Sequence, residues 1–261
     1  MIRMVHPERN GAELTELVRL IWAARQVGAL TGAGISVASG IADFRSSGGL
    51  WSVFSPEEYA TLEVFERNPA KSWKLFRCMG RELLGKEPNP AHLALVELER
   101  MGLLHGIVTQ NIDTLHQQAG SSYVFEIHGE FAHVHCPACG LLRDLEAGDW
   151  LEDGPVPLCA QCGSPLKPNV VLFGESVRML EEIWTFIAHC DLLLVIGTSA
   201  QVYPAAALPD RVWRNGGWVI ECNREQALRD GSVRDRHFFV PGDVARTLPL
   251  LVDACRSHRR F

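Results

Sequence analysis

The chain has 261 residues, enough for one large domain or for one domain with a sizeable insertion. With 47% hydrophobic and 21% charged residues it can fill a globular core, which excludes a disordered chain. Its net charge of -6, with no concentrated run of Lys or Arg, argues against nucleic acid and suits basic peptide substrates only by weak steering.

The N-terminal segment Met1 to Arg9 lacks the apolar stretch of an export signal, so a cytoplasmic location is expected. A helix is predicted near Ala12–Arg25, then a strand at Val27–Thr31 that ends in Gly32-Ala33-Gly34-Ile35-Ser36. From Asp43 to about Leu84 the strand-helix alternation breaks, with one helix near Ala70–Leu84. Asn89 reads as an N-cap and Pro90 as the first residue of a helix to Met101. A strand at Gly106–Thr109 runs into Gln110-Asn111-Ile112-Asp113, a helix is predicted near Ile112–Ala119, and a strand at Val124–Ile127 leads to His128-Gly129. A second break, His133 to about Lys167, is rich in Cys, Pro and Gly. Beyond it lie a helix near Ser176–His189 and a strand at Asp191–Ile196, too short to cross a bilayer, ending in Gly197-Thr198-Ser199. A helix near Pro204–Asn215, a strand at Trp218–Cys222 ending in Asn223-Arg224-Glu225, a strand at His237–Val240 and a helix near Val244–Cys255 complete the pattern.

Such alternation predicts an α/β fold with a doubly wound, Rossmann-like parallel sheet. The sheet lobe is expected over about residues 1–45, 85–132 and 168–261. The two breaks are expected to form a smaller lobe, a helical insertion over about 46–84 and a zinc-ribbon module over about 133–167.

Four predicted strands end in small or polar residues, where doubly wound sheets bind their ligands. Glycines there allow backbone approach, while hydroxyls and amides suit phosphate and ribose. The turn Gly32-Ala33-Gly34 is not the dehydrogenase fingerprint, because Val37 stands at the third glycine and no acidic residue closes a second strand. By itself it is also compatible with a plain αL turn. Cys136-x-x-Cys139 and Cys159-x-x-Cys162, with residues 140–158 between them, have the spacing of a four-thiolate zinc site. Four thiolates close the coordination sphere, so that zinc is expected to be structural; His133 and His135 are alternative ligands. Cys78, Cys190, Cys222 and Cys255 read as buried small hydrophobes. His128, Asn111 and Asp113 converge as a candidate proton-handling group. The residues alone leave the reaction open.

These segments, taken in order with Ser39-Gly40-Ile41-Ala42-Asp43-Phe44-Arg45, Thr109 to His116, Val171 to Glu175 and Val202-Tyr203-Pro204, resemble the sirtuin family of NAD-dependent protein deacylases. The resemblance runs from about Val27 to Val252. It implies an NAD site made of Gly32, Ala33, Gly34, Ser36, Asp43, Phe44 and Arg45, with Gln110, Asn111, Ile112 and Asp113 at the nicotinamide and its ribose. Gly197, Thr198, Ser199, Asn223, Arg224, Glu225, Asp243 and Val244 are implied at the adenosine. The resemblance further implies that nicotinamide leaves, that the substrate amide oxygen captures the sugar, and that His128 deprotonates a ribose hydroxyl, which takes the acyl group. Water completes the implied release of free lysine and O-acyl-ADP-ribose. Val171, Leu172, Phe173, Gly174, Glu175 and Val202 are implied to pair with an acylated protein or peptide by β-augmentation. Ala42 departs from a usual proline and Ala200 from a common leucine. Members that take succinyl or malonyl lysine carry a tyrosine and an arginine three residues apart, where Phe76 and Met79 stand here; neutral acyl groups are therefore expected, unless a shifted register brings in Arg77 or Arg81. ADP-ribosyl transfer to protein and NAD hydrolysis on the same scaffold are the alternatives, with hydride transfer or a zinc-ribbon binding module further off.

Overall fold

The computed structural model describes residues 2–9, 11–43, 49–151, 153–228 and 234–258. The elements in chain order are β1 (Arg3–Met4), α1 (Ala12–Ala23), β2 (Val27–Thr31), α2 (Pro56–Tyr59), α3 (Leu62–Arg67), α4 (Pro69–Leu83) and α5 (Pro90–Arg100). Then come β3 (Gly106–Thr109), α6 (Leu115–Ala119), β4 (Val124–Glu126), β5 (Gly129–His135), β6 (Leu142–Asp144), α7 (Ala147–Trp150) and β7 (Lys167–Val170). The last third holds α8 (Leu180–His189), β8 (Leu192–Ile196), α9 (Leu208–Arg214), β9 (Trp218–Asn223), β10 (His237–Pro241) and α10 (Val244–His258).

Seven parallel strands form one sheet in the order β1-β10-β9-β8-β2-β3-β4. Its central strand β8, Leu192-Leu193-Leu194-Val195-Ile196, is apolar throughout and buried on both faces. One face is covered by α1, α5 and α10 through Leu17, Ile21, Leu95, Leu98, Leu248 and Leu251. The other is covered by α8 and α9 through Ile183, Ile187, Leu208 and Val212. From β2 the chain moves one way to β3 and β4, whereas β8, β9 and β10 run the other way. The order therefore reverses between β2 and β8, and a crevice opens above their carboxyl ends.

The antiparallel sheet β6-β5-β7 and helices α2–α4 share a second core, in which Phe65, Trp73, Phe76, Val134, Cys136, Cys159 and Leu166 pack together. Trp73 Nε1 donates to Leu166 C=O at 2.8 Å and Arg77 Nη2 to Gly154 and Pro155 C=O at 2.8 and 3.0 Å, clipping α4 to the cysteine-rich segment. The small sheet was expected only from His133, yet β5 begins at Gly129. Helices α6 and α8 start later than expected, at Leu115 and Leu180, because Thr114 and Met179 before them take left-handed backbone conformations at φ 60° and 53°. Cys78 is half-buried rather than buried. No helix among the described residues is long and apolar enough to cross a membrane.

Asn89 caps α5 and also ties it to the crevice, its Nδ2 donating to Ile35 C=O at 2.7 Å and Ser39 Oγ at 2.9 Å. Asn89 N–H in turn donates to His92 Nδ1, so that ring is neutral. His116 lies 5.0 Å from it, ring to ring, and its Nε2 meets Thr31 Oγ1 at 2.9 Å. Burial lowers His92 to about 4, and burial with the neighbouring His92 lowers His116 to about 3. Above an unfolded value of 6.5 this has no consequence. Below it, the unfolded chain takes up protons that the folded chain refuses. Stability is therefore expected to fall by about 1.4 kcal/mol per pH unit for each ring. Denaturant titrations at pH 7.5 and 5.5 check this, and replacing His116 with glutamine should flatten the slope. Equal stability at the two pH values contradicts it.

Candidate active site at the sheet switch point

The crevice has a volume of about 1040 Å³ and runs over the ends of β2, β3, β8, β9 and β10. Gly32, Ala33, Gly34, Asp43, Gln110, Asn111, Ile112, His128, Gly197, Thr198 and Ser199 all line it. The turn after β2 packs directly on the turn after β8: Gly34 N–H donates to Gly197 C=O at 2.8 Å. A Cβ on Gly34 would lie 2.7 Å from Gly197 O, and one on Gly197, at φ 59°, would lie 2.4 Å from Ile35 N. These glycines are required by the contact between the two turns as well as by any approach to a phosphate.

His128 follows β4 and is half-buried on the crevice wall. Its Nδ1 lies 3.0 Å from Gln110 C=O, which can only accept, so Nδ1 carries the proton and Nε2 is left as the basic nitrogen. Burial lowers the His128 pKa, offset in part by the Gln110 carbonyl, and keeps the imidazole neutral near pH 7. Gln110 is fixed in turn by Nε2 donating to Thr198 Oγ1 at 2.8 Å.

Asn111 Nδ2 donates to Ser36 Oγ at 3.1 Å, and Ser36 Oγ donates to Asp113 Oδ2 at 2.6 Å. Ser36 and Asp113 do not line the main crevice. They line a smaller cavity of about 140 Å³ that shares Ala33, Asn111 and Ile112 with it and extends to Ala42, Leu50, Cys78 and Glu82. Burial raises the Asp113 pKa against the hydrogen bonds from Ser36 and Leu115 N–H. The structure thus brings His128 and Asn111 to one crevice, with Asp113 one hydrogen bond behind Ser36. Phe44 and Arg45 lie outside the described residues.

At the other end Asn223, Arg224, Glu225, Asp243 and Val244 line the crevice. Asn223 Nδ2 donates to Thr198 C=O and to Glu221 Oε1, both at 3.0 Å, and Arg224 pairs with Asp243 at 3.1 Å. Glu221 is fully buried beside His237 at 3.1 Å and accepts Ala227 N–H, holding the loop after β9. Sequence patterns left Glu221 unassigned, although a carboxylate inside the apolar run Trp218 to Cys222 was a visible signal. Gly242 and Gln201 were also unassigned; Gly242, at φ 134°, follows β10 as the other glycine turns follow their strands.

Val171, Leu172, Phe173, Gly174, Glu175 and Val202 line the side of the crevice towards α4. The Leu172 side chain is buried in the second core. Phe76 and Met79, one turn apart on α4, line the same end with Trp51, Ala60 and Leu75. Arg77 and Arg81 leave from other faces, Arg81 Nη1 reaching Leu151 C=O at 3.4 Å. Phe76 and Met79, and neither Arg77 nor Arg81, thus line the cavity.

The Sγ atoms of Cys136, Cys139, Cys159 and Cys162 lie within 4.8 Å of one another, with Cys136–Cys162 and Cys139–Cys159 at 3.5 Å. Disulfides would need S–S about 2.05 Å. A zinc tetrahedron with Zn–S about 2.3 Å has S···S edges of about 3.8 Å, and the four thiols fit it. Two equivalent turns present them: Gly140 N–H donates to Cys136 C=O and Gly163 N–H to Cys159 C=O, with both glycines at positive φ. His133 instead bonds Glu130 through Nδ1 at 3.0 Å, and neither it nor His135 joins the group.

Gly129 joins His128 to the small sheet. At φ 74° its missing Cβ would lie 2.0 Å from Asn169 C=O across the β5–β7 pairing. Gly129→Ala is therefore expected to cost roughly 2 kcal/mol or more and to displace His128. Urea midpoints and peptide turnover check it, and a variant equal to the parent in both would contradict this geometry.

The model of the Sir2 family matches residues 32–204. An NAD-dependent protein deacylase of Thermococcus kodakarensis is 42% identical over 245 residues, covering 92% of this chain and 94% of its own. A Sir2 homolog solved as its NAD complex superposes with TM-score 0.85 at 36% identity, covering 94% of each chain. Sir2Af2 bound to a myristoylated histone peptide superposes with TM-score 0.74 at 35% identity, over 95% of this chain and 98% of that one. With a crevice at the sheet switch point, a four-cysteine module beside it and relatives alike over nearly its whole length, the chain belongs to the Sir2 family.

Proposed function

We propose that this protein is an NAD-dependent protein lysine deacylase. The observation that carries the reading is the neutral His128, whose one basic nitrogen has no partner among the described residues and stands on the crevice between nucleotide-type strand ends and the segment Val171 to Gly174. The relatives named as deacylases and the neighbour solved with NAD support the same reading. Bound NAD supplies a ribose that exchanges nicotinamide for the acyl-lysine oxygen.

The chain's own residues supply the rest. The paired turns at Gly34 and Gly197 present backbone to the pyrophosphate, and Ser199, Asn223, Glu225, Asp243 and Val244 receive the adenosine. Asn111, Ile112 and the Ser36–Asp113 pair receive the nicotinamide end, and Asp43, Phe44 and Arg45 complete the cofactor loop. His128 Nε2 takes the proton from the ribose hydroxyl that attacks the acyl carbon. Val171 to Glu175 and Val202 hold the peptide backbone. The neighbour solved with a myristoylated histone peptide supports an acylated peptide as partner. The four cysteines hold one structural zinc. Nicotinamide release should depend on acylated peptide, and release at the same rate without peptide would favour plain NAD hydrolysis.

The acyl group should be neutral. Phe76 and Met79 offer no partner to a distal carboxylate, and among the described residues the only cationic Arg or Lys on the crevice is Arg224, paired with Asp243. Desolvating an unpaired carboxylate costs several kcal/mol. Acetyl or longer aliphatic lysine peptides are expected to exceed succinyl-lysine in kcat/KM by about a hundredfold, since about 1.4 kcal/mol is a factor of ten. Faster succinyl turnover on matched peptides would refute the assignment of Phe76 and Met79.

A further inference from the structure

Strand β7 opens on a lysine with no exposed surface, Lys167, which lies outside the crevice. Its Nζ donates to Glu175 Oε2 at 2.9 Å and to Val170 C=O. The same Glu175 oxygen accepts Leu172 N–H at 2.7 Å, while Glu175 N–H donates to Leu172 C=O at 3.0 Å. The carboxylate therefore closes the turn 172–175, and the lysine fixes that carboxylate to β7.

The rest of the segment is held from both sides. Val171 N–H donates to His128 C=O at 2.8 Å, and Phe173 exchanges hydrogen bonds with Ala60 and Leu62 at 2.9 and 3.0 Å. Among the described residues, Val171 C=O and Gly174 N–H receive no protein partner. Gly174 C=O is likewise without one, so two acceptors and one donor remain on a stretch that lines the crevice, as an added strand requires. A buried ion pair is weak evidence of stability, because neutral residues of equal volume often serve as well. What this one supplies is geometry.

We propose that Lys167 is a positioning residue for the peptide substrate: through Glu175 it holds Val171 to Gly174 in register for backbone pairing with an extended acyl-lysine peptide. Lys167 touches neither peptide nor nucleotide. The proposal rests on the deacylase reading for its substrate, but its geometry can be tested apart from turnover.

The test uses the full-length, zinc-loaded protein with an acetyl-lysine peptide. Lys167→Met is expected to raise the peptide KM at least about tenfold while the KM for NAD moves less than about twofold. Hydrogen exchange over residues 170–175 should accelerate in the same variant, because Leu172 N–H loses its fixed acceptor. Lys167→Arg, which keeps the cation, should recover part of the peptide affinity. If Lys167→Met does not fold, Glu175→Gln keeps the volume and an acceptor for Leu172 N–H, and should show a smaller split of the same sign. Should the wild type prove inactive, the deacylase reading fails by itself, and calorimetric peptide binding and exchange at Leu172 still decide the proposal. A folded variant with unchanged peptide KM and unchanged exchange overturns it, as does an equal rise in both KM values.

Discussion

Replacing His128 by alanine is expected to leave the protein folded and able to bind NAD, yet to cut deacylation at least about a hundredfold, the usual scale for losing a general base. The structural reason is the division of labour on the ring. Nδ1–H is held by Gln110 C=O at 3.0 Å, so only Nε2 can take a proton, and burial keeps it neutral. The side chain is half-buried and makes no other hydrogen bond among the described residues, which is why folding should survive the truncation. Because its pKa lies below the ordinary histidine value of 6.5, the wild-type rate should climb with pH through a limb below that value and stay level above it. Circular dichroism, NAD binding and turnover of acetyl peptide measured on one preparation decide the matter. Near-normal turnover in His128→Ala removes this residue from the chemistry.

Loss of zinc should be the most damaging change to the fold. Cys136 and Cys159 are buried in the second core with Trp73 and Phe76, and the Trp73 indole is bonded to Leu166 within the same segment. Four thiols gathered without metal have little else to hold them together, and structural zinc in small modules supplies about 10 kcal/mol or more of folding energy. Chelation, or Cys159→Ser, is therefore expected to lower Tm by roughly 10 °C or more and to expose Trp73 to solvent. Activity falls with it, since α4 carries Phe76 and Met79 on the crevice and is clipped to this module by Trp73 and Arg77. Metal analysis should find one zinc per chain. A metal-free protein that stays folded and fully active would show the four cysteines to have another role.

Legibility in the sequence followed how local each signal was. Strands β2 and β3 were readable to the residue because their apolar runs stop at glycine or glutamine, and α5 because Asn89-Pro90 marks its start. The cysteine pairs carry their own spacing. The start of β5 was hidden because Gly129 reads as a turn; its partner β7 lies far along the chain, and only the tertiary pairing with Val170 makes a strand of it. Helix α6 was placed too early because an acidic residue such as Asp113 looks like first-turn sequence, whereas its carboxylate accepts Leu115 N–H from outside the helix. At the site, strand-end residues were legible because doubly wound sheets place ligands there. Lys167 and Glu221 were not: each acts through a neighbour, and no periodicity distinguishes a buried charge with a partner from an exposed one without.

The reaction itself is read out by mass spectrometry of its nucleotide product. With the wild-type protein, NAD and an acetyl-lysine peptide, nicotinamide and deacetylated peptide are expected in equal amounts, with the acetyl group recovered on ADP-ribose. ADP-ribose attached to protein, or free ADP-ribose formed while the peptide keeps its acetyl group, would contradict it.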